Sequence, residues 1–197
     1  MEKIRWCAAP DLQVVTLWVL STDNLKRSDD DELTPLLAVI EQLVRDLAAT
    51  GRWRVQAVGS LELLPDEMVE SLRASSASTD GTQGMQVNVA IAYGGRQELR
   101  DAVRSLLSAR AEEGATLAEV AQTLEIEQIS EHLYTKGQPD PDLIIRTSGE
   151  QRLSGFLLWQ SAHSEFYFCE ALWPDFRRVD FVRALRSYAQ RERRFGR

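Results

Sequence analysis

Short apolar runs alternate along this chain with longer stretches of helical period, and Gly, Pro, Asn and Asp punctuate the joins. Residues 12–20 are dense in β-branched and apolar side chains and read as a buried strand. Residues 34–49 have the spacing of an amphipathic helix that Gly51 ends, and 53–58 read as a second strand. A helix over 65–74 takes Pro65 in its first turn, where the missing N–H costs little. The Ser, Thr, Gly and Asp of 75–84 predict a loop, and 85–93 a third strand. Residues 98–111 form a helix with Leu99, Val103, Leu106 and Leu107 along one face.

Two short helices, 116–124 and 129–134, precede the breaker at 137–141. Residues 142–145 read as a core strand, and Phe156-Leu-Leu-Trp159 as the opening of a buried helix. A short strand over 166–169 and a helix over 180–193 close the chain. Strands alternating with helices imply crossover units, so the expected fold is a single α/β domain with a mostly parallel central sheet flanked by helices.

Two polar clusters follow apolar strands, which puts both where open α/β sheets bind ligands. The first is Ser21-Thr-Asp-Asn-Leu-Lys-Arg27. As residue types alone, these are also good turn and cap formers. The second runs from Arg146 to Glu165. Arg146 and Arg152 flank Thr147, Ser148, Gly149 and Ser154, offering planar forks, hydroxyls and backbone amides that suit phosphoryl oxygens. A plainer account pairs Arg146 with Glu150 and leaves Arg152 a solvated charge. Glu165 falls among Ala162, Phe166, Tyr167 and Phe168, a setting in which a carboxylate needs an ion pair or a cation.

A formal net charge of −7 argues against a broad nucleic-acid surface, so the arginines read as local sites for small anions. Cys7 and Cys169 have no metal spacing and suggest a reducing cytoplasm. No apolar run is long enough to span a bilayer, and no cationic start followed by an apolar core and a small-residue cleavage site occurs, so secretion is not expected. The histidines, His132 and His163, have no ligand spacing, and no Walker, dinucleotide or serine-hydrolase pattern occurs.

Residues 142–196, including Leu172-Trp-Pro-Asp-Phe176 and Arg191-Glu-Arg-Arg-Phe-Gly196, closely resemble the carboxyl-terminal signature of the cis-prenyltransferases, the undecaprenyl diphosphate synthase family. Ser21 to Arg27 resembles that family's Ser-[Ser/Thr]-Glu-Asn-Trp-x-Arg motif, and Tyr93-Gly-Gly-Arg96 its strand-to-helix turn. The resemblance implies condensation of isopentenyl diphosphate with an allylic diphosphate, assisted by Mg²⁺. Asn24 takes the catalytic position. Ser21, Thr22, Asp23, Leu25 and Arg27 border the substrates, with Arg27 on the allylic diphosphate. Arg146, Arg152, Leu153 and Ser154 take the isopentenyl diphosphate side, and Glu165 the metal. Arg194 and Gly196 match an ending that reaches a neighbouring subunit's diphosphates, which implies a homodimer. Asp23 and Leu25 depart from the motif's glutamate and tryptophan.

Trp18, Val19 and Leu20 are bulkier than the small residue of long-chain members, which points to the short-chain Z-isoprenyl subgroup, Z-farnesyl diphosphate synthases included. Contact with a membrane stays open. Family members also begin with a strand and an Asp-Gly-Asn block, and nothing in residues 1–10 resembles either. Residues 1–7 look instead like the last turns of the helix that follows the block. The expectation is that upstream sequence is missing; the alternative is an inactive diphosphate-binding partner of another prenyltransferase subunit.

Overall fold

The computed structural model describes residues 2–8, 12–27 and 30–190. In chain order the elements are α1 (Glu2–Cys7), β1 (Val14–Trp18), α2 (Thr22–Arg27), α3 (Asp30–Ala49), β2 (Arg54–Val58) and α4 (Asp66–Ala77). They continue as β3 (Gln86–Ala90), α5 (Gly95–Glu112), α6 (Leu117–Thr123), α7 (Ile126–Ser130), β4 (Leu143–Arg146), β5 (Glu165–Phe168) and α8 (Arg178–Ala189). The short strands coincide with the β-branched runs, where stiff side chains favour extended backbone.

Every strand pair is parallel. β3 is the centre of a three-stranded sheet, with Val87 opposite Val15 of β1 and Val55 of β2. β4 and β5 pair separately, Leu143 opposite Glu165 and Arg146 opposite Phe168. The central position buries β3 on both faces: Val87, Asn88, Val89 and Ala90 are each fully enclosed. Val55, Val87 and Val89 join Ile40, Val44, Leu47, Met68 and Leu72 from α3 and α4 in one core cluster.

The opposite face of this sheet is polar where the loop before β4 lies on it. Asn88 Nδ2 donates to Thr16 Oγ1 at 3.1 Å and to Gln138 Oε1 at 2.6 Å, and Gln138 Nε2 donates to Gln56 Oε1 at 3.3 Å. Buried amides are tolerated because each finds a partner. The same bonds clamp the Gln138 loop, and hence the start of β4, to all three strands.

Four expectations are corrected. The predicted loop at 75–84 begins later, because α4 runs to Ala77. α5 buries Gly95, Glu98, Ala102 and Leu106, so of the predicted row Leu106 is buried and Leu99 half-buried, whereas Val103 and Leu107 are exposed. Phe156–Trp159 opens no α-helix: Ser154 and Leu157 have φ of 52° and 45°, which breaks the helical path, and only a 3₁₀ turn at Gln160–His163 follows. The strand predicted over 142–145 as core is only partly enclosed, with Ile144 its sole fully buried residue.

Candidate active site

Because β1 and β3 run parallel in register, their carboxyl ends open on one edge. Ser21 extends the pairing by an isolated bridge to Tyr93, and Thr22 N–H donates to the Tyr93 carbonyl at 3.1 Å. Ser21 then caps α2, its hydroxyl accepting from Asn24 N–H at 3.0 Å. Thr22 is buried against Gly94, where an added Cβ would meet Thr22 Oγ1 at 2.7 Å. Ser21 and Thr22 therefore hold the turn, leaving Asp23 and Asn24 as the exposed side chains of its first helical turn. Leu25 packs against the core. Arg27 closes α2 with its backbone; its side chain, with Arg194 and Gly196, lies outside the described residues.

The second cluster begins where β4 ends. Arg146 is the last residue of that strand, and the chain reverses through Ser148 and Gly149, both at positive φ. Ser148 N–H donates to Ala171 O and Gly149 N–H to Cys169 O, each at 2.9 Å, so the turn is fastened to the segment after β5. Arg146 Nη2 and Arg152 Nη2 both donate to the Glu150 carboxylate, the latter at 2.9 Å to Oε1. The plainer sequence reading thus holds for Arg146, while Arg152 is paired where solvation was expected. Arg146 keeps a buried Nε–H with no hydrogen-bond partner.

The two clusters meet through Gly95. Its N–H donates to Gly155 O at 2.9 Å, and a Cβ there would lie 2.4 Å from that oxygen and 2.7 Å from Leu158 Cβ. Only glycine lets α5 approach so closely. Phe156 then stacks on Trp18, ring centroids 5.2 Å apart, and meets Tyr93 edge-on. The segment of Arg152, Leu153 and Ser154 is therefore seated beside the turn that carries Asn24. Leu153 is half-buried and Ser154 exposed.

A buried carboxylate anchors this seat. Glu98 is 1% exposed and accepts from Tyr93 Oη, Tyr134 N–H at 3.0 Å and Gln160 Nε2 at 3.1 Å. Burial pushes its carboxyl above the ordinary range, and the three donors pull it back. Burial and the neighbouring Glu98 together drive the Tyr93 phenol far upward. The sequence reading missed Glu98. Its signal was available in Gly95, Glu98, Ala102 and Leu106, a row of helical spacing with one acid in it.

Glu165 stands apart. It opens β5 opposite Leu143, three residues along the register from Arg146, or about 10 Å along the strand. Its oxygens are of the hard type that suits Mg²⁺, which commonly takes one or two carboxylates with phosphate oxygens and water. Among the described residues no group of three or more His, Cys, Asp and Glu could hold a metal. These residues do not gather Glu165 and the arginine fork into one protein-only metal site.

A cavity of about 600 Å³ lies between α1, β1, α3 and the 173–178 segment, lined by Trp6, Leu17, Val19, Leu43 and Phe176. Trp18 faces the other way, onto Phe156. Among the described residues no helix is long and apolar enough to cross a membrane.

Residues 1–196 match the family described as putative undecaprenyl diphosphate synthase. The chain is 58% identical to a (2Z,6E)-farnesyl diphosphate synthase of Thermobifida fusca and 57% identical to isoprenyl transferase 1 of Streptomyces avermitilis, in each case over 99% of this chain and 76% of the relative. A short-chain Z-isoprenyl diphosphate synthase of Mycobacterium bovis is 53% identical over 100% of this chain and 75% of its own length. The fold matches lavandulyl diphosphate synthase from Lavandula x intermedia, solved with dimethylallyl diphosphate, with a TM-score of 0.88 and 31% identity over 98% of this chain and 83% of that one. It also matches a probable undecaprenyl diphosphate synthase from Campylobacter jejuni, with a TM-score of 0.82 and 28% identity over 100% and 89%.

Proposed function

This chain belongs to the undecaprenyl diphosphate synthase family, the cis-prenyltransferases, and from that premise we propose that it joins isopentenyl diphosphate to a short allylic diphosphate to give a short Z-prenyl diphosphate. The observation that carries the reading is the contact of Gly95 with Gly155, which seats the arginine segment beside the Asn24 turn.

In the reaction the allylic C–O bond breaks and diphosphate departs, the isopentenyl double bond attacks the allylic carbon, and loss of a proton leaves the new Z double bond. Arg146, Arg152 and Ser154, with Leu153 beside them, hold the isopentenyl diphosphate by charge-assisted hydrogen bonds, the unpartnered Arg146 Nε–H among the donors. Arg27 takes the allylic diphosphate. Asn24 orients the reactants from the edge of the site; an amide relays hydrogen bonds more readily than it abstracts a proton. Ser21 and Thr22 fix that edge, with Asp23 and Leu25 beside Asn24. Glu165 would be this chain's carboxylate ligand to Mg²⁺, which when bound would supply charge stabilisation for the departing diphosphate. The prenyl chain lies in the cavity lined by Leu17 and Val19.

We place the enzyme in the cytoplasm, with peripheral membrane contact for its product, and read it as a homodimer in which Arg194 and Gly196 reach the neighbour. We read residues 1–197 as one cis-prenyltransferase-like domain.

Incorporation of labelled isopentenyl diphosphate onto geranyl and farnesyl diphosphates with Mg²⁺, assayed on this chain and on one extended upstream, tests the reading. Short Z products from either chain support it. Products of E geometry, or none from either, would end it.

A further inference from the structure

Glu150 occupies the position that the proposed reading gives to substrate. Arg146 and Arg152 converge on its carboxylate, Arg152 Nη2 lying 2.9 Å from Oε1 and 2.8 Å from Oε2, and Arg146 Nη2 on Oε2. Two cations held this close would repel each other without an anion between them. The turn that brings the carboxylate back, Ser148 to Gly149, is tied by its own amides to Ala171 and Cys169. Glu150 can therefore swing away without the turn coming apart. Its side chain is 43% exposed and that of Arg152 is 69% exposed, so water receives both when they part. The fork is also incompletely used, since Arg146 Nε–H is buried and unmatched by the carboxylate.

We propose that Glu150 is a positioning residue: an internal counter-ion that holds the two arginines together in the unliganded protein and is displaced by the incoming diphosphate. This rests on the reading of Arg146 and Arg152 as the diphosphate site. A carboxylate carries a single charge and two oxygens. A diphosphate brings more of both, enough to engage Nη2 of each arginine and the idle Nε–H together. Displacement at Arg152 is cheap because exposed ion pairs are weak, worth less than a factor of about ten in an equilibrium, and the 20% exposed Arg146 exchanges the carboxylate for the diphosphate without being left unpaired.

The same geometry sets how binding responds to salt. In the wild-type chain the counter-ion is covalently attached, and its local concentration does not follow that of the buffer. With the carboxylate removed, the vacated fork recruits chloride from solution, and the diphosphate must compete with a species that rises with added salt. A residue that merely stiffened the loop would have no such signature.

The experiment is calorimetric titration of inorganic diphosphate and of isopentenyl diphosphate into wild type, Glu150→Gln and Arg152→Gln, in metal-free buffer at low and high KCl. Glu150→Gln should bind both ligands about threefold to tenfold more tightly than wild type at low salt. That advantage should vanish as KCl reaches about 0.3 M, where the screening length is short. Arg152→Gln should weaken binding of both. Equal or weaker binding by Glu150→Gln at low salt overturns the counter-ion role. If wild type binds neither ligand and Arg152→Gln is indistinguishable from it, the diphosphate reading of the arginines fails, and the role of Glu150 with it.

Discussion

Replacing Glu98 by glutamine tests how far a buried carboxylate governs the site it never touches. The new amide keeps its oxygen for Tyr134 N–H and Gln160 Nε2, both of which bond Oε1 in the wild type. On the other side it presents N–H₂ to Tyr93 Oη, a hydroxyl that now donates to Oε2 and accepts from the Leu157 backbone. The Tyr93 proton loses its acceptor at a site where both residues are at most 1% exposed. One orphaned buried donor costs about 1–3 kcal/mol. For a chain of 197 residues that lowers Tm by roughly 2–12 °C.

The loss should depend on pH in a fixed direction. Burial holds the folded-state carboxyl of Glu98 above its unfolded value. The folded protein therefore keeps a proton that the unfolded chain releases above about pH 4.3. The contribution of this group to stability is complete below that pH and declines as pH rises toward the folded-state value. The amide does not titrate, so the gap in Tm between wild type and Glu98→Gln should be widest near pH 4 and narrow upward. Differential scanning calorimetry from pH 4 to 8 measures it. A gap that widens with pH would show that burial does not hold the Glu98 carboxyl above its unfolded value and refute the argument. In the active enzyme the same variant should raise KM for isopentenyl diphosphate severalfold and change kcat less, because Gln160 and Leu157 lie on the segment that carries Ser154. An unchanged KM would sever Glu98 from the site.

Gly95→Ala places a methyl group 2.4 Å from Gly155 O, and should cost about 1–3 kcal/mol as an overpacking change while weakening isopentenyl diphosphate binding; thermal melts and titration read the two effects. Ser21→Ala removes the cap of α2 and should cost about 1 kcal/mol, measured by urea denaturation. Asn24→Ala should lower kcat by tenfold or more, read by steady-state kinetics. Val19→Ala enlarges the cavity and should lengthen the product chain, visible by chromatography of dephosphorylated products; Trp18→Ala, facing Phe156, should destabilise without that change.

Much of this architecture is readable from short-range pattern. Val14 to Trp18, Arg54 to Val58 and Gln86 to Ala90 are extended because their side chains demand it, and Ser21 caps a helix because serine does so locally. The arginines and the Asn24 turn were placed on strand ends for the same reason. What escaped is long-range. Nothing near Glu98 in sequence announces Tyr134 and Gln160, 36 and 62 residues away. Phe156 to Trp159 carries an apolar helical pattern, yet stacking on Trp18 and the left-handed backbone at Leu157 bend it into a turn. Glu165 is close in sequence to the arginines, but the β4–β5 register sends it to the opposite end of the strand pair.

Ser148 and Ser154 hold φ of 79° and 52°, where side chains other than glycine's cost roughly 1–2 kcal/mol each. Glycine at either position would make a sturdier protein, and a library sorted only for heat tolerance should enrich Ser148→Gly and Ser154→Gly. A library sorted for diphosphate turnover should discard the second of these. The two selections, run on one pool, separate residues retained for their backbone from residues retained for a hydroxyl.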